Sequence, residues 1–170
     1  MAFQMILCVE TNKRADTDYI YISETIKHLY KEDKRVTINK VYMGSKTKYK
    51  SKEVLRDIKQ LTKAFTIGET RVIYCIDTDA YERNREHETI LNDITQFCKG
   101  NGYELIWFCH DIEEVFIGRR ISDSQKVQEA GAFRRGGKIN EVHTAKLSSN
   151  VKRMHTSNIL CILDKYLSRK

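Results

Sequence analysis

Four apolar runs of strand length recur along the chain, and a segment with helical spacing follows each of the first three. The runs cover residues 5–10, 35–44, 71–77 and 103–111. The first ("MILCVE") and the third ("RVIYCID") are nearly continuous in apolar residues, which is typical of strands buried on both faces of a parallel sheet. In the second run, Val36 and Ile38 alternate with polar neighbours, as in a strand with one buried face.

The segments between the runs predict helices. Apolar residues recur at helical spacing in residues 17–32, behind a cap at Thr17 or Asp18, and in residues 51–65, behind a Ser51 cap. Residues 87–102 predict a third helix, closed by Gly100 or Gly102. Residues 112–121 resemble a short helix, residues 122–140 are polar and weakly periodic, and residues 157–167 predict an amphipathic terminal helix.

Alternating strands and helices with short connections predict an α/β fold, in which a parallel, Rossmann-like sheet carries helices on both faces. A chain of 170 residues with 41% hydrophobic residues is sufficient for one domain with a real core. We expect an α/β core over residues 1–121. A basic, helical C-terminal extension over residues 122–170 would pack on the same domain.

The net charge of the chain indicates which kinds of molecule it could bind. Lysine and arginine total 30 against 23 aspartates and glutamates, a net charge of +7, which favours polyanions such as nucleic acid. No apolar run is long enough to span a bilayer and the first residues lack a secretory pattern, so we expect a cytoplasmic protein without a membrane partner. The five cysteines form no CxxC pair and are interpreted as reduced core residues, neither disulfides nor zinc ligands.

Acidic residues end three of the predicted strands. Glu10 closes the first, Asp77 and Asp79 close the third, and Asp111 closes the fourth, with Glu113 shortly after it. Ligands of open α/β sheets bind at the carboxyl ends of the strands. Carboxylates gathered there would repel one another unless they were protonated or bridged by a cation, and hard oxygen ligands suit Mg²⁺ or Mn²⁺. A lone D-x-D is also common in turns and helix caps, so Glu10 carries much of this inference.

The order of elements, with Glu10 after the first strand and D-x-D after the third, resembles the Toprim domain. Within that family, residues 4–120 look most like the small RloB-like proteins and the OLD (overcoming-lysogenization-defect) nucleases. The RloB-like motif V-E-G-x-T-E is similar to Val9–Glu10 followed by Thr17–Asp18, and a later acidic-aromatic motif is similar to Glu113 with Phe116. The chain departs from the motif at Thr11, which replaces a glycine, and in a longer loop after it.

The resemblance implies a metal-dependent nuclease. Asp77 and Asp79 would hold Mg²⁺ or Mn²⁺, Glu10 would share the metal or move a proton, and Glu113 could join a metal site. RloB-like proteins are associated with restriction and anti-phage defence, which implies an ATPase or another defence-system subunit as a partner and allows homo-oligomers. The alternative is a non-catalytic Toprim subunit that binds nucleic acid or a nucleotide, a RecR-like role, which Thr11 and the longer loop favour.

Basic residues near the predicted strand ends are candidates for phosphate contacts. The nucleic-acid-binding candidates are Lys46, Lys48, Lys50, Arg134, Arg135 and Lys138. Lys138 is also the candidate for stabilising negative charge in the transition state, as a catalytic residue, with Lys146 as the alternative. Residues 44–52, which contain the first three lysines, are explained equally well as a solvated loop. Residues 133–140, which contain the other three basic residues and two glycines, are explained equally well as a flexible connector. Among the histidines, His110 is best placed to contact the acidic site.

Overall fold

The computed structural model describes residues 1–170 and contains one sheet of four parallel strands. The strands are β1 (Ala2–Val9), β2 (Val36–Tyr42), β3 (Gly68–Asp77) and β4 (Glu104–Phe108). Their order across the sheet is β2-β1-β3-β4. The chain therefore leaves β1 on one side and returns to the sheet on the other, which creates a topological switch point between β1 and β3.

The register brings the carboxyl ends of the strands to one edge of the sheet. Val9, the last residue of β1, pairs with Tyr42 on one side and with Cys75 on the other. Asp77, the last residue of β3, pairs with Phe108 at the end of β4. Residues that follow the strands therefore emerge side by side, as the sequence predicts.

Helices cover both faces of the sheet, which confirms the predicted α/β class. The seven helices are α1 (Thr17–Leu29), α2 (Lys52–Ala64), α3 (Arg85–Asn101), α4 (Ile112–Ile117), α5 (Lys126–Arg135), α6 (Thr144–Leu147) and α7 (Ile159–Leu163). Helices α2 and α3 pack on one face with the side chains of Ile6, Cys8 and Tyr74. The other helices share a core on the opposite face with Met5 and Leu7. None of the helices combines the length and apolar character needed to cross a lipid bilayer.

Two predicted helix termini are confirmed, whereas the predicted cap of α1 is wrong and α3 begins two residues earlier than predicted, at Arg85. The Ser51 hydroxyl caps α2, and Gly102 ends α3 in the left-handed conformation at φ 67°. The predicted cap at Thr17 or Asp18 is wrong, because both residues lie inside the first turn of α1. Asp16 precedes the helix without capping it, since its carboxylate binds the Lys40 ammonium at 2.5 Å.

The C-terminal segment packs against the same core as the strands. Helix α5 contributes Ala130 and Phe133, and α7 contributes Leu160. Asn158 covers the outer edge of β4, where its side chain accepts a hydrogen bond from Trp107 N and donates one to Leu105 O, both at 2.9 Å. The predicted terminal helix is shorter than expected, because the residues before α7 are used to cover this strand edge.

Candidate metal centre at the ends of β1 and β3

Four buried or half-buried carboxylates, the exposed carboxylate of Asp123 and one ammonium line a surface cavity of about 570 Å³ at the switch point between β1 and β3. Glu10 follows β1, and Asp77 ends β3. Three of the other charged groups come from helices on one face of the sheet: Asp18 from the first turn of α1, Glu113 from the first turn of α4, and Lys126 from the start of α5. The sequence predicted three of these acids, whereas Asp18, Asp123 and Lys126 are additions from the structure.

The two strand-end acids are joined through the backbone. Asp77 N donates a hydrogen bond to Glu10 Oε2 at 2.5 Å, and Asp77 Oδ1 accepts one from Ile112 N at 3.0 Å. The Asp77 carboxylate thus satisfies a free amide at the N-terminus of α4 and holds that helix against the end of β3. The placement of Glu113, one residue further into α4, follows from this contact.

Three packed aromatic rings fix the helices that carry the remaining charges. Tyr21 stacks on Phe116 at 5.3 Å between ring centroids, and Phe133 meets their edges at 5.0 and 5.8 Å respectively. Each charged residue lies one or two helical turns before a ring on its own helix and therefore on the same helical face. The pairs are Asp18 with Tyr21, Glu113 with Phe116, and Lys126 with Phe133. Packing of the rings thus brings the three charges to one place.

Burial dominates the electrostatics of the cavity. Because removal from water penalises a charged carboxylate, burial raises the pKa of Glu10 to about 7 and raises the pKa values of Asp18, Asp77 and Glu113 as well. Repulsion from neighbouring carboxylates, chiefly Glu10, raises the pKa of Asp77 further. Burial lowers the pKa of Lys126, but the carboxylates around it outweigh that effect and leave its pKa above the ordinary value.

The protein leaves one oxygen of Glu113 and the carboxylate of Asp18 without a hydrogen-bond donor. Glu113 is 1% exposed, yet its Oε2 atom has no hydrogen-bond partner, and the nearest ammonium, that of Lys126, is 3.7 Å away. Asp18 is 8% exposed, and its carboxylate accepts no hydrogen bond from the protein. An unpaired carboxylate is costly to bury, so this arrangement favours an additional positive group.

The donor set fits a hard divalent cation. Carboxylate oxygens are the side-chain ligands of Mg²⁺ and Mn²⁺, and Mg²⁺ keeps several waters while binding one or two carboxylates directly. No three of these four acids have ligand atoms within 4.8 Å of one another, so a bound ion would be held directly by at most two of them in this arrangement and otherwise through water. Glu10, Asp18, Asp77 and Glu113 are the residues available to hold such an ion.

Asp79, the second acid of the D-x-D pair, has a different environment. It does not line the carboxylate cavity, and it adopts a left-handed conformation at φ 49°. Its carboxylate is bound by the ammonium of Lys46, which also donates to Asp77 O at 2.8 Å. Lys46 was predicted to bind nucleic acid, but it is buried and paired within the protein, because the short 3-10 turn over Lys46–Lys48 folds it under the strand ends.

The other predicted basic residues lie in three different environments, none of them in the carboxylate cavity. Lys48, Lys50 and Arg135 are exposed. Arg134 approaches Glu24 on α1 at 3.5 Å. Lys138 lines a separate cavity of about 200 Å³ between α4 and α5 and is not brought to the carboxylates. Lys126 is the lysine that lies beside the carboxylates, whereas Lys138 and Lys146 both line the separate cavity.

Comparison with known proteins gives no match to this chain among protein-family models, curated proteins or solved structures. Its function must therefore be inferred from the residues of the site.

Proposed function

We propose that the protein is a metal-dependent phosphodiesterase that hydrolyses nucleic acid with Mg²⁺ or Mn²⁺. The observation that carries the proposal is the buried Oε2 atom of Glu113, which has no hydrogen-bond partner and lies in a cavity lined by Glu10, Asp18, Asp77 and the exposed Asp123. Structural carboxylates are usually paired within the protein, whereas a site that binds a cation leaves its oxygens free. The Toprim resemblance supports the same assignment through Glu10, Asp77 and Glu113.

Each charged residue has a defined task in this proposal. Glu10, Asp18, Asp77 and Glu113 would hold the metal, which when bound neutralises the phosphodiester and activates water. Glu10 Oε2 is occupied by the Asp77 amide, so Oε1 is the atom free to take or release a proton. Without a metal ion, burial raises the pKa of Glu10 to about 7, and a cation bound beside it would favour the charged carboxylate, the form that accepts a proton from water. Lys126 would face the negative charge that develops on the phosphate oxygens.

The charge of the whole molecule supports a polyanionic substrate. The net charge is +7, and exposed Lys48 and Lys50 follow β2 on the edge where the carboxylates lie. A nucleic-acid substrate is in keeping with a cytoplasmic location. By the RloB-like resemblance, the biological role would be restriction or anti-phage defence, with an ATPase or another defence subunit as a partner.

One observation favours a second candidate function. Lys46 neutralises Asp79, so only one acid of the D-x-D pair faces the cavity. A Toprim module that binds nucleic acid or a nucleotide without cleaving it, in a RecR-like role, would need no second free carboxylate. Such a protein would bind polyanions through its exposed lysines and would not require an intact metal site.

The deciding experiment measures cleavage of labelled single-stranded and double-stranded DNA and RNA in EDTA, Mg²⁺ or Mn²⁺. We expect metal-dependent cleavage by the wild type and its loss in Asp77→Asn. Asp93→Asn, which changes an exposed aspartate on α3, is the matched control and should cleave normally. Binding that is unchanged in Asp77→Asn, with no cleavage in any metal, would reject the nuclease and support the binding module.

A further inference from the structure

A second group of metal-binding side chains lies beside the carboxylate cavity, at the ends of β3 and β4. Ligand atoms of Glu82, Cys109 and His110 all lie within 4.8 Å of one another. The Glu82 carboxylate oxygens are 3.0 and 3.2 Å from His110 Nε2. None of these residues lines the carboxylate cavity, and together they offer one sulfur, one nitrogen and one oxygen donor.

The backbone around His110 is held in an uncommon conformation. His110 has φ 62°, in the left-handed region that few residues other than glycine adopt. Its N–H donates to Thr78 Oγ1 at 2.9 Å, and its carbonyl accepts from Asp79 N at 2.9 Å. These bonds fix the backbone that presents the imidazole to Glu82, next to the buried Cys109.

The imidazole also has the outer partner that metal-bound histidines usually have. His110 Nδ1 is 3.3 Å from Glu114 Oε2, and Glu114 N donates to Asp111 Oδ1 at 2.8 Å, which holds the start of α4. A carboxylate on one ring nitrogen favours the tautomer that carries its proton there. Nε2 also faces a carboxylate, that of Glu82 at 3.0 Å, so a cation would have to replace the proton between them, while the Glu114 carboxylate would keep a proton on Nδ1.

We propose that Cys109 Sγ, His110 Nε2 and the Glu82 carboxylate bind a zinc-class divalent cation, with a fourth position open to water. A thiolate and an imidazole select borderline metals such as Zn²⁺ and Co²⁺ over Mg²⁺. Zinc bonds of about 2.0–2.3 Å in a tetrahedron place neighbouring ligand atoms roughly 3.3–3.7 Å apart. The Glu82 oxygens lie slightly closer to His110 Nε2 than this, at 3.0 and 3.2 Å, and all three ligand atoms lie within 4.8 Å of one another. Binding releases the Cys109 thiol proton to solvent, and no electron transfer is needed.

This site gives Cys109 a role that the sequence did not suggest, since its cysteines were interpreted as core residues. An entry route exists, because the Glu82 side chain is 41% exposed while the thiol is buried behind it. The site does not depend on the proposed nuclease activity. A bound ion would tie the loop after β3 to the end of β4 and should raise the thermal stability of the protein.

The test is a titration of metal-free protein with Co²⁺, followed by optical absorption. We expect one equivalent to give a thiolate-to-cobalt charge-transfer band and the visible bands of a tetrahedral ion, both removed by Zn²⁺. Cys109→Ser should abolish the charge-transfer band. Cys161→Ser, at a half-buried cysteine on α7, and Asp77→Asn, in the carboxylate cavity, should both retain it.

Two further variants keep the test informative if Cys109→Ser fails to fold. His110→Asn keeps a residue type that tolerates the left-handed backbone, and Glu82→Gln changes an exposed side chain. Both should fold, as checked by circular dichroism, and both should weaken Co²⁺ binding by at least about tenfold. Absence of the band in the wild type, or its persistence in folded Cys109→Ser, would show that Glu82 and His110 form only an ion pair.

Discussion

The backbone amide of Asp77 donates a hydrogen bond to the Glu10 carboxylate at 2.5 Å, across the boundary between the two central strands. The bond extends the interaction of β1 with β3 beyond the last paired residues, Val9 and Cys75. Its donor belongs to the main chain of β3, so the bond ties the Glu10 side chain to the register of the sheet. Rigid support of this kind is what a precise catalytic site requires.

Replacing Glu10 by glutamine should separate the chemistry of this carboxylate from its structural role. The amide oxygen of the glutamine side chain can still accept the hydrogen bond from Asp77 N, so the fold should be retained while the negative charge and the exchangeable proton are lost. We expect cleavage to fall by at least about 100-fold. The melting temperature should stay the same or rise. Glu69→Gln, at an exposed residue near the start of β3, should cleave like the wild type.

Stability of the metal-free protein should decrease as the pH rises. Burial raises the pKa of Glu10 from 4.5 to about 7, so the folded form binds this proton more tightly than the unfolded chain does. The resulting stabilisation is complete below the unfolded pKa and is lost as the pH passes through the folded value. We expect the melting temperature in EDTA to fall between about pH 5 and pH 8, by about 2–4 °C for each kcal/mol lost.

Two controls identify the group responsible for the pH effect. Glu10→Gln should show a shallower decrease, because it lacks the titrating carboxylate. Adding Mg²⁺ at the higher pH should restore stability, because the ion replaces the proton as the positive partner of the carboxylates. Equal pH slopes in the wild type and in Glu10→Gln would contradict the assignment of this titration to Glu10.

Replacing Lys126 should slow cleavage, whereas replacing Lys138 should not. Lys126 faces Glu113 in the carboxylate cavity, whereas Lys138 lines the separate cavity between α4 and α5. Lys126→Ala should lower the cleavage rate by at least about tenfold, because a preorganised positive charge is removed from the phosphate. Lys138→Ala should cleave within about twofold of the wild type. The reverse result would return the catalytic role to Lys138.

Lys46 should prove to be a structural residue. Its buried ammonium binds both Asp77 O and the Asp79 carboxylate, and a shorter apolar side chain would leave these oxygens unpaired. We expect Lys46→Met to lower the free energy of unfolding by about 1–3 kcal/mol in urea titrations. Lys48→Ala, two residues later and exposed, should change it by less than about 0.5 kcal/mol. Similar effects of both substitutions would argue against the buried pair.

The exposed lysines should control the salt dependence of nucleic-acid binding. Each phosphate contact contributes about 0.7–0.9 to the slope of log K against log salt concentration. We expect Lys48→Ala and Lys50→Ala each to reduce that slope by nearly one contact, measured by fluorescence anisotropy with Asp77→Asn protein to prevent cleavage. Lys63→Ala, at an exposed lysine near the end of α2, should leave the slope unchanged.

The sequence was sufficient to predict the parallel sheet, the helices on both of its faces, and the positions of Glu10 and Asp77 at one edge. Continuous apolar runs such as residues 71–77 distinguish buried strands from amphipathic helices, and the parallel arrangement then places Glu10 and Asp77 at one edge. Asp18 was treated as a helix cap. Its actual position depends on where α1 begins, and a hydrophobic pattern does not define a helix start to within one or two residues.

Lys126 was not identified from the sequence, and the burial of Lys46 was not foreseen, for two different reasons. Helix α5 has small residues at Ala130–Ala132 and buries few large side chains, so its periodicity is weak and the position of Lys126 could not be read from the pattern. Lys46 lies in a lysine-rich loop whose composition indicates exposure. Only the tertiary contact with Asp77 and Asp79 draws its ammonium inward, and composition contains no information about that contact.

The origin of Lys126 in the C-terminal segment sets an order of events during synthesis. The four carboxylates emerge from the ribosome with the strands and α4, whereas Lys126 follows them and is positioned only once Phe133 packs on Tyr21 and Phe116. A nascent chain that ends before α5 therefore carries the acids without their ammonium. In a nuclease built this way, the messenger RNA being translated would meet an incomplete active site until the C-terminal segment had folded.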